Sequence, residues 1–466
     1  MRRAFILVLV AVMAGCAAGS PPPRDPVAVP AELQALPVAH DNEVMALAPH
    51  GDRLFAATDQ WEYDGPSPAG QVLVKDSPGG PWEVFEQTES LRVQAIESFP
   101  VPGMPGGDHS LLITQAVVDG RSQIQWLLDD ERSFTGSYAL PSTGVDVRSF
   151  GAHEDGGTWS VYAGAEPTGV LRGTWSPSER TLVFDPVPEL TVAAPRSAGQ
   201  RSQKVTGFAD CGGALYTTIN TRLYRRNDGD LGDLAPRTPR WSLVYEAPAV
   251  GAHNSGLRGL TCVDHGGAPA LLVSTEGTGD VYRFDDLPDG PAALRPTREL
   301  SPVAAIRRML ADQGTVVPAI GPGSIGYLIA AYNDFETVTL DGAERQLFGF
   351  EWGYLGSCPG DRTCGPTAFD TVTFDAAACF AVRTDSGTAP AYELRCLSGR
   401  DFTPSGAVSE PIRSGQAFVS VRTIKPSPFG DGRLYFGGYD CNFHPADGTA
   451  WIATSAATAI RPEEDS

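Results

Sequence analysis

A four-residue pattern recurs along this chain: an aliphatic residue, any residue, a small residue, then a large apolar residue. It reads Val44-Met45-Ala46-Leu47, Val93-Gln94-Ala95-Ile96, Val147-Arg148-Ser149-Phe150, Val205-Thr206-Gly207-Phe208, Leu257-Arg258-Gly259-Leu260 and Val421-Arg422-Thr423-Ile424. The first five copies lie about 50–60 residues apart, the spacing of a propeller blade. A polar turn and a second apolar strand follow, as in Gly51-Asp52-Arg53-Leu54-Phe55-Ala56 and Gly212-Gly213-Ala214-Leu215-Tyr216-Thr217. That pairing is a hairpin signature, because glycine supplies positive φ in the turn. Two further strands usually complete each unit, for example Arg222 to Arg225 and Trp241 to Tyr245. Four short strands at a fixed period predict a β-propeller. Innermost strands crowd around the axis, which explains the small third residue. One repeat cannot bury both sheet faces alone, so the ring must close.

The expected fold is all-β: a seven-bladed β-propeller of four-stranded antiparallel blades, with eight or six blades as alternatives. Blades begin near residues 43, 92, 146, 204 and 256; an enlarged sixth runs from about 305 to 400, and a seventh starts near 418. The seventh shows three strands, and Leu33 to Val38 is expected to supply the fourth. Phe369-Asp370-Thr371-Val372 also fits the pattern and carries the eight-blade alternative. Pro302 to Gln313 reads as a short inserted helix.

Composition narrows the function classes. Lys+Arg is 35 against Asp+Glu 56, a net charge of −21, which argues against a phosphate-binding face and hence nucleic acid. Gly 52 and Pro 39 disfavour a helical bundle, and 42% apolar residues are enough for a packed core. Beyond the N-terminus no apolar run is long enough to span a bilayer.

That N-terminus reads as an address. Met1-Arg2-Arg3 precedes an apolar stretch, Ala4 to Ala14, the layout of a secretory signal. Met13-Ala14-Gly15-Cys16 then resembles the lipobox of bacterial lipoproteins, which implies cleavage before Cys16 and lipidation of its thiol. The expected division is a signal peptide over 1–15, a lipidated Cys16 and Pro-rich tether over 16–32, a propeller over 33–458 and an acidic tail over 459–466. Pro-rich chain of this kind is extended and semi-rigid. The resemblance implies a cell-envelope location, at the outer membrane in a Gram-negative cell, with the lipid anchor as the membrane contact. The body is expected to be a monomer.

The repeat organisation resembles bacterial secreted propellers, including the gluconolactonase/paraoxonase-like and NHL-like groups. The stretches Ala330-Ala331-Tyr332-Asn333-Asp334 and Ser427-Pro428-Phe429 through Tyr439-Asp440 resemble segments of bacterial secreted proteins, a resemblance that supplies no activity.

Seven cysteines follow Cys16, and an exported protein is expected to oxidise most of them. Cys211 and Cys262 hold nearly equivalent places on adjacent blades and can bridge them. Cys358 and Cys364 flank a short loop. Cys379 and Cys396 lie on successive strands of the sixth blade. Cys441 is left over, as a free thiol or a sign of different pairing.

Candidate chemistry gathers where the second strands end. Five residues on from Leu54, Val161, Leu215, Leu271 and Leu328 stand Asp59, Glu166, Asn220, Glu276 and Asn333; Asp334 follows, and Asp440 ends the corresponding strand of the seventh blade. If those strands are equivalent, a broken ring of carboxylates and amides surrounds one mouth. Glu166, Asn220, Glu276, Asn333, Asp334 and Asp440 form a candidate Ca²⁺ set, since hard oxygens suit that ion. The same residue types also end strands simply because they bond turn amides. Arg148, Arg258 and Arg422 share the second repeat position, where they line the channel, balance acids or bind an anion. With Asp59, Trp61, Asn442 and His444 from two rich loops they form the candidate ligand-binding set; His444 has no acid–nucleophile constellation around it. No Walker loop, nucleophile elbow, His-Glu-x-x-His or dinucleotide fingerprint occurs. Two readings follow: an envelope scaffold or binding module for a glycan, small molecule or protein; or a Ca²⁺-dependent hydrolase or lactonase, as the gluconolactonase/paraoxonase resemblance implies.

Overall fold

The structure is a computed structural model. It describes residues 27–460 except 38–40, 42, 60–69, 91, 105–107, 142–144, 192–203, 230–238, 249–255, 289, 291, 306–325, 355–377, 386–388, 399–417 and 441–449. Blades two to five are separate four-stranded antiparallel sheets whose strands neighbour one another in chain order. Their inner strands are Ile96–Val101, Asp146–Asp155, Val205–Cys211 and Leu257–His265, and blade one opens with Glu43–His50. Blade seven is Phe418–Pro426, Arg433–Asp440 and Trp451–Ala456, completed by Glu32–Leu33 from the start of the chain, which pair with Thr454 and Ala453.

Blade six departs from the pattern. Its inner strand comes in two pieces, Gly326–Ala330 and Glu336–Leu340, both antiparallel to the long strand Ala343–Tyr354. Cys379–Thr384 and Ala391–Ser398 follow, and Val27–Pro30 adds a parallel outer strand. Val27–Pro30, inside the segment expected to be tether, is thus a strand of the body. The sequence reading also takes Leu328 for a second-strand residue, whereas it lies on the inner strand. The interruption at residues 331–335 hides the repeat there and moves Asn333 and Asp334 onto the axis. Of the expected helix, residues 303–305 are helical and the remainder lies outside the described residues.

Seven apolar clusters hold the ring together, each at one junction between neighbouring blades. Leu112 and Leu127 of blade two pack on Phe55 and Val72 of blade one. Val161 and Leu171 of blade three join Leu111 and Trp126 of blade two. The series continues through blades three/four, four/five, five/six and six/seven. It ends with Tyr435 and Ile452 of blade seven on Val44 and Leu54 of blade one. Seven blades and seven junctions close the circle. Phe369-Asp370-Thr371-Val372 lies outside the described residues.

The recurring pattern has a backbone counterpart. In blades one, three, four and seven the first two strands slip register between the first and third repeat residues, leaving Met45, Arg148, Thr206 and Arg422 as the extra residue. Blade five slips between Arg258 and Thr261. A β-bulge bends its strand and re-aims a side chain; here it recurs at the residue that faces the axis. The small third residue also has a measurable cause. Gly259 has φ +62°, and a Cβ there would meet Ala331 of blade six at 2.6 Å.

Both described cysteine pairings form. Cys211–Cys262 ties blade four to blade five with Cα atoms 5.3 Å apart, and Cys379–Cys396 lies within blade six. Cys16, Cys358, Cys364 and Cys441 lie outside the described residues.

Candidate functional site

The inner strands descend the axis side by side, so equal repeat positions form layers. At the upper mouth, where these strands begin, the second-position arginines meet acids from neighbouring elements. Arg422 holds Glu43 at 3.0 Å and Glu351 at 2.8 Å. Arg258 pairs with Glu276 at 2.5 Å, Arg148 with Glu166, and Arg92 with Asp59 at 3.3 Å. The Tyr332 ring lies between two cations, 4.3 Å from Arg258 and 4.0 Å from Arg422. It comes from the interruption in blade six and plugs the mouth.

Electrostatics follow from burial and pairing. Burial raises Glu276, but Arg258, Lys204 and Arg148 together outweigh it and hold the carboxyl below its usual range. Burial pushes Glu43 and Asp59 upward against the pull of Arg422 and Arg92. Burial also takes Asp41 to about 7, although its bond from the Thr58 hydroxyl works the other way. Burial lowers the half-buried Lys204 ammonium to about 8.

The expected Ca²⁺ set is placed as follows. Glu166 and Glu276 do reach this mouth, each on its arginine. Asn220 has φ +51° in a turn, and its Oδ1 accepts the Lys204 amide hydrogen at 3.1 Å. Asn333 donates from Nδ2 to the Met45 carbonyl, and Asp334 accepts from Lys425 at 2.5 Å lower down the axis. Asp440 ends a strand of blade seven, and its side chain lies outside the described residues. Among the described residues no group of three or more His, Cys, Asp or Glu is disposed to hold a metal. Glu166, Glu276 and Asp334 each give an oxygen to a cation, and Asn220 gives its own to a backbone amide. Of the candidate ligand-binding set, Arg148, Arg258 and Arg422 line the axis and Asp59 joins them through Arg92. Trp61, Asn442 and His444 lie outside the described residues.

A second charged layer lies deeper. Lys425 of blade seven donates to Asp334 and Glu336 of blade six, both at 2.5 Å. Glu97 of blade two faces the same group. Burial pushes Glu97 up to about 7, Lys425 pulls it down, and Asp334 and Glu336 push it further up. Three carboxylates thus surround one ammonium, which donates to two of them.

This layer borders a cavity of about 510 Å³ that runs along the axis towards the hairpin turns. Its lining starts at Gln94 and Arg148 and ends at His153, Glu154 and Asp210. Glu97 and Asp334 contribute carboxylates, and Phe99, Trp159 and Phe208 contribute half-buried aromatic rings. His153 sits between Asp210 at 2.9 Å and Asp228 at 3.2 Å. Burial lowers its pKa, but the two carboxylates prevail and bring it to about 9. A permanent imidazolium of this kind serves structure and charge; it is not a base at neutral pH.

Sequence reasoning missed Glu97, Lys425 and the aromatic wall. A signal existed one step past the repeat. The fifth position reads Ala48, Glu97, Gly151, Ala209, Thr261 and Lys425. Only blades two and seven put a charge there, and those two charges share the deeper layer.

No protein-family model and no curated protein matches the chain. Solved structures do resemble it. Chaetomium thermophilum Sqt1, crystallised with the N-terminus of the ribosomal protein L10, is 13% identical over 90% of this chain and 88% of its own, with a TM-score of 0.41. The β-propeller domain of Myceliophteria thermophila Cps50 (Swd1) is 10% identical over 89% of this chain and 95% of its own, also at 0.41. The likeness is one of fold outline alone.

Proposed function

We propose that this chain is a binding module, held at a bacterial cell envelope through Cys16, that takes its ligand in the axial cavity on the hairpin face. The observation that carries the reading is the cavity itself. About 510 Å³, bounded by six of the seven blades, lies within the size range of small-molecule sites. Its polar and aromatic groups converge on one space, whereas the upper mouth is filled by its own ion pairs and Tyr332. The Met13-Ala14-Gly15-Cys16 motif supports the anchor.

The test is a melting-midpoint screen of a panel of amines, acidic peptides, oligosaccharides and neutral aromatics, repeated on Ala152→Trp. Ala152 is half-buried on the cavity wall, so the larger ring occupies the space. A bound ligand raises the midpoint by mass action. The expected result is a panel member that stabilises the wild type and leaves the variant unmoved. A panel without effect, or one acting equally on both proteins, would defeat the reading. Mass spectrometry of membrane-fraction protein checks the anchor: a diacyl or triacyl mass on Cys16 is expected, and an unmodified cysteine overturns it.

A further inference from the structure

Resting on the cavity reading, we infer that the ligand is a small organic cation: a primary ammonium or guanidinium attached to an apolar group, with Glu97 as its acceptor. Three features of different kinds agree. The first is a vacancy in hydrogen bonding. Glu97 projects from the inner strand of blade two into the cavity lining, and no described side chain or backbone group donates to its carboxylate. Its acidic neighbours Asp334 and Glu336 both accept from Lys425, so the single ammonium of the layer is already spoken for.

The second is charge. The layer of Glu97, Asp334, Glu336 and Lys425 is short of positive charge. The other charged groups of the cavity do not make up the difference. Arg148 is held by Glu166, and His153 by Asp210 and Asp228. Glu154 adds an exposed carboxylate at the rim. An anion entering here would meet acids; a cation would neutralise them and donate N–H to Glu97 as a charge-assisted bond.

The third is the wall. Phe99, Trp159 and Phe208 present partly exposed rings to the same space. Aromatic faces attract cations and cover apolar carbon equally well. A carboxylate with no donor, beside aromatic rings, selects an N–H-bearing cation over a quaternary one, which has no hydrogen to give.

The probe is phenethylamine, with 2-phenylethanol as its neutral counterpart, titrated calorimetrically into the full chain. The amine is expected to bind at least about tenfold tighter than the alcohol at pH 8. Its affinity is expected to rise between pH 6 and pH 8 as Glu97 ionises, together with Glu336, which burial also raises to about 7 against the pull of Lys425; Asp334, His153 and Arg148 are other charged groups of the cavity. In Glu97→Gln the advantage over the alcohol disappears and the pH dependence shrinks to the share set by Glu336. The wild-type comparison needs no variant, so it stands even if Glu97→Gln folds poorly. Equal binding of amine and alcohol, or an undiminished preference in Glu97→Gln, overturns the inference. If cations fail while another panel member binds and is blocked by Ala152→Trp, this inference falls and the cavity reading survives. If nothing binds, both fall.

Discussion

The two charged layers of the axis are made by the same inner strands three residues apart, yet they do opposite things. In the upper layer Glu43, Glu166, Glu276 and Glu351 each meet a guanidinium, and Tyr332 fills the centre between two of the arginines. In the lower layer three carboxylates surround Lys425, and the space beside them is open. Charge alone therefore does not mark a site. Buried ions that satisfy one another form a plug; buried ions left in excess beside a void leave room for a further group. Strand register decides which outcome occurs, because a bulge aims the second repeat residue into the crowded mouth and the fifth falls where the channel widens.

Breaking the upper layer should have the largest effect. Arg422→Met keeps most of the volume but leaves Glu43 and Glu351 buried without their cation, and is expected to cost about 3–5 kcal/mol by urea unfolding. A loss below about 1 kcal/mol would mean that the layer is not a plug.

The pH dependence separates the layers. Asp41 above and Glu97 below both titrate at about 7 in the folded chain. The folded state then binds more protons than the unfolded state, so stability falls as pH rises from the ordinary carboxylate range through 7. His153, at about 9, contributes stability that is complete below its unfolded value and lost as pH rises through 9. His50, lowered by burial to about 4, acts the other way and erodes stability as pH falls below its unfolded value. Stability is therefore expected to be greatest at about pH 4–5, where the raised carboxyls are still protonated in the folded chain, and to fall as pH rises to 9. Asp41→Asn should flatten the upper layer's share and Glu97→Gln the lower layer's, read as the slope of the melting midpoint against pH.

Removing the plug itself is a smaller perturbation. Tyr332→Leu retains apolar bulk but loses both cation contacts, for an expected cost of about 1 kcal/mol. Smallest of all is the effect of metal. With Glu166 and Glu276 on arginines, EDTA and then excess Ca²⁺ are expected to move the melting midpoint by less than about 1 °C. A larger shift would mean that metal is held by groups other than these paired carboxylates.

The propeller was legible in the sequence because the axis constrains every blade alike. Crowding forces a small third residue, as Gly259 against Ala331 illustrates, and a ring repeats that demand. Blade six is harder to read because Tyr332 to Phe335 interrupt its inner strand, so the spacing assigns Leu328 to the wrong strand. Of the upper-mouth acids, Asp59, Glu166 and Glu276 are legible, since strand ends have a fixed place in the repeat, whereas Glu43 and Glu351 carry no such mark. The pairings are not legible, because one such as Arg422 with Glu43 joins residues at opposite ends of the chain. The cavity escaped notice for a related reason: its wall is assembled from single residues of six blades, none unusual within its own repeat.

Ring closure also fixes the order in which this molecule can mature. Val27 pairs with Arg395 and Glu32 with Thr454, so the earliest-synthesised part of the body is held by the latest. Until the final blade is made, Val29 and Ala31 lack the blade-seven part of their burial site, and blades one and six each lack a neighbour. Contacts this distant along the chain form slowly. A prematurely terminated chain would expose an unpaired seam to proteases, which makes completion of synthesis a quality checkpoint written into the topology.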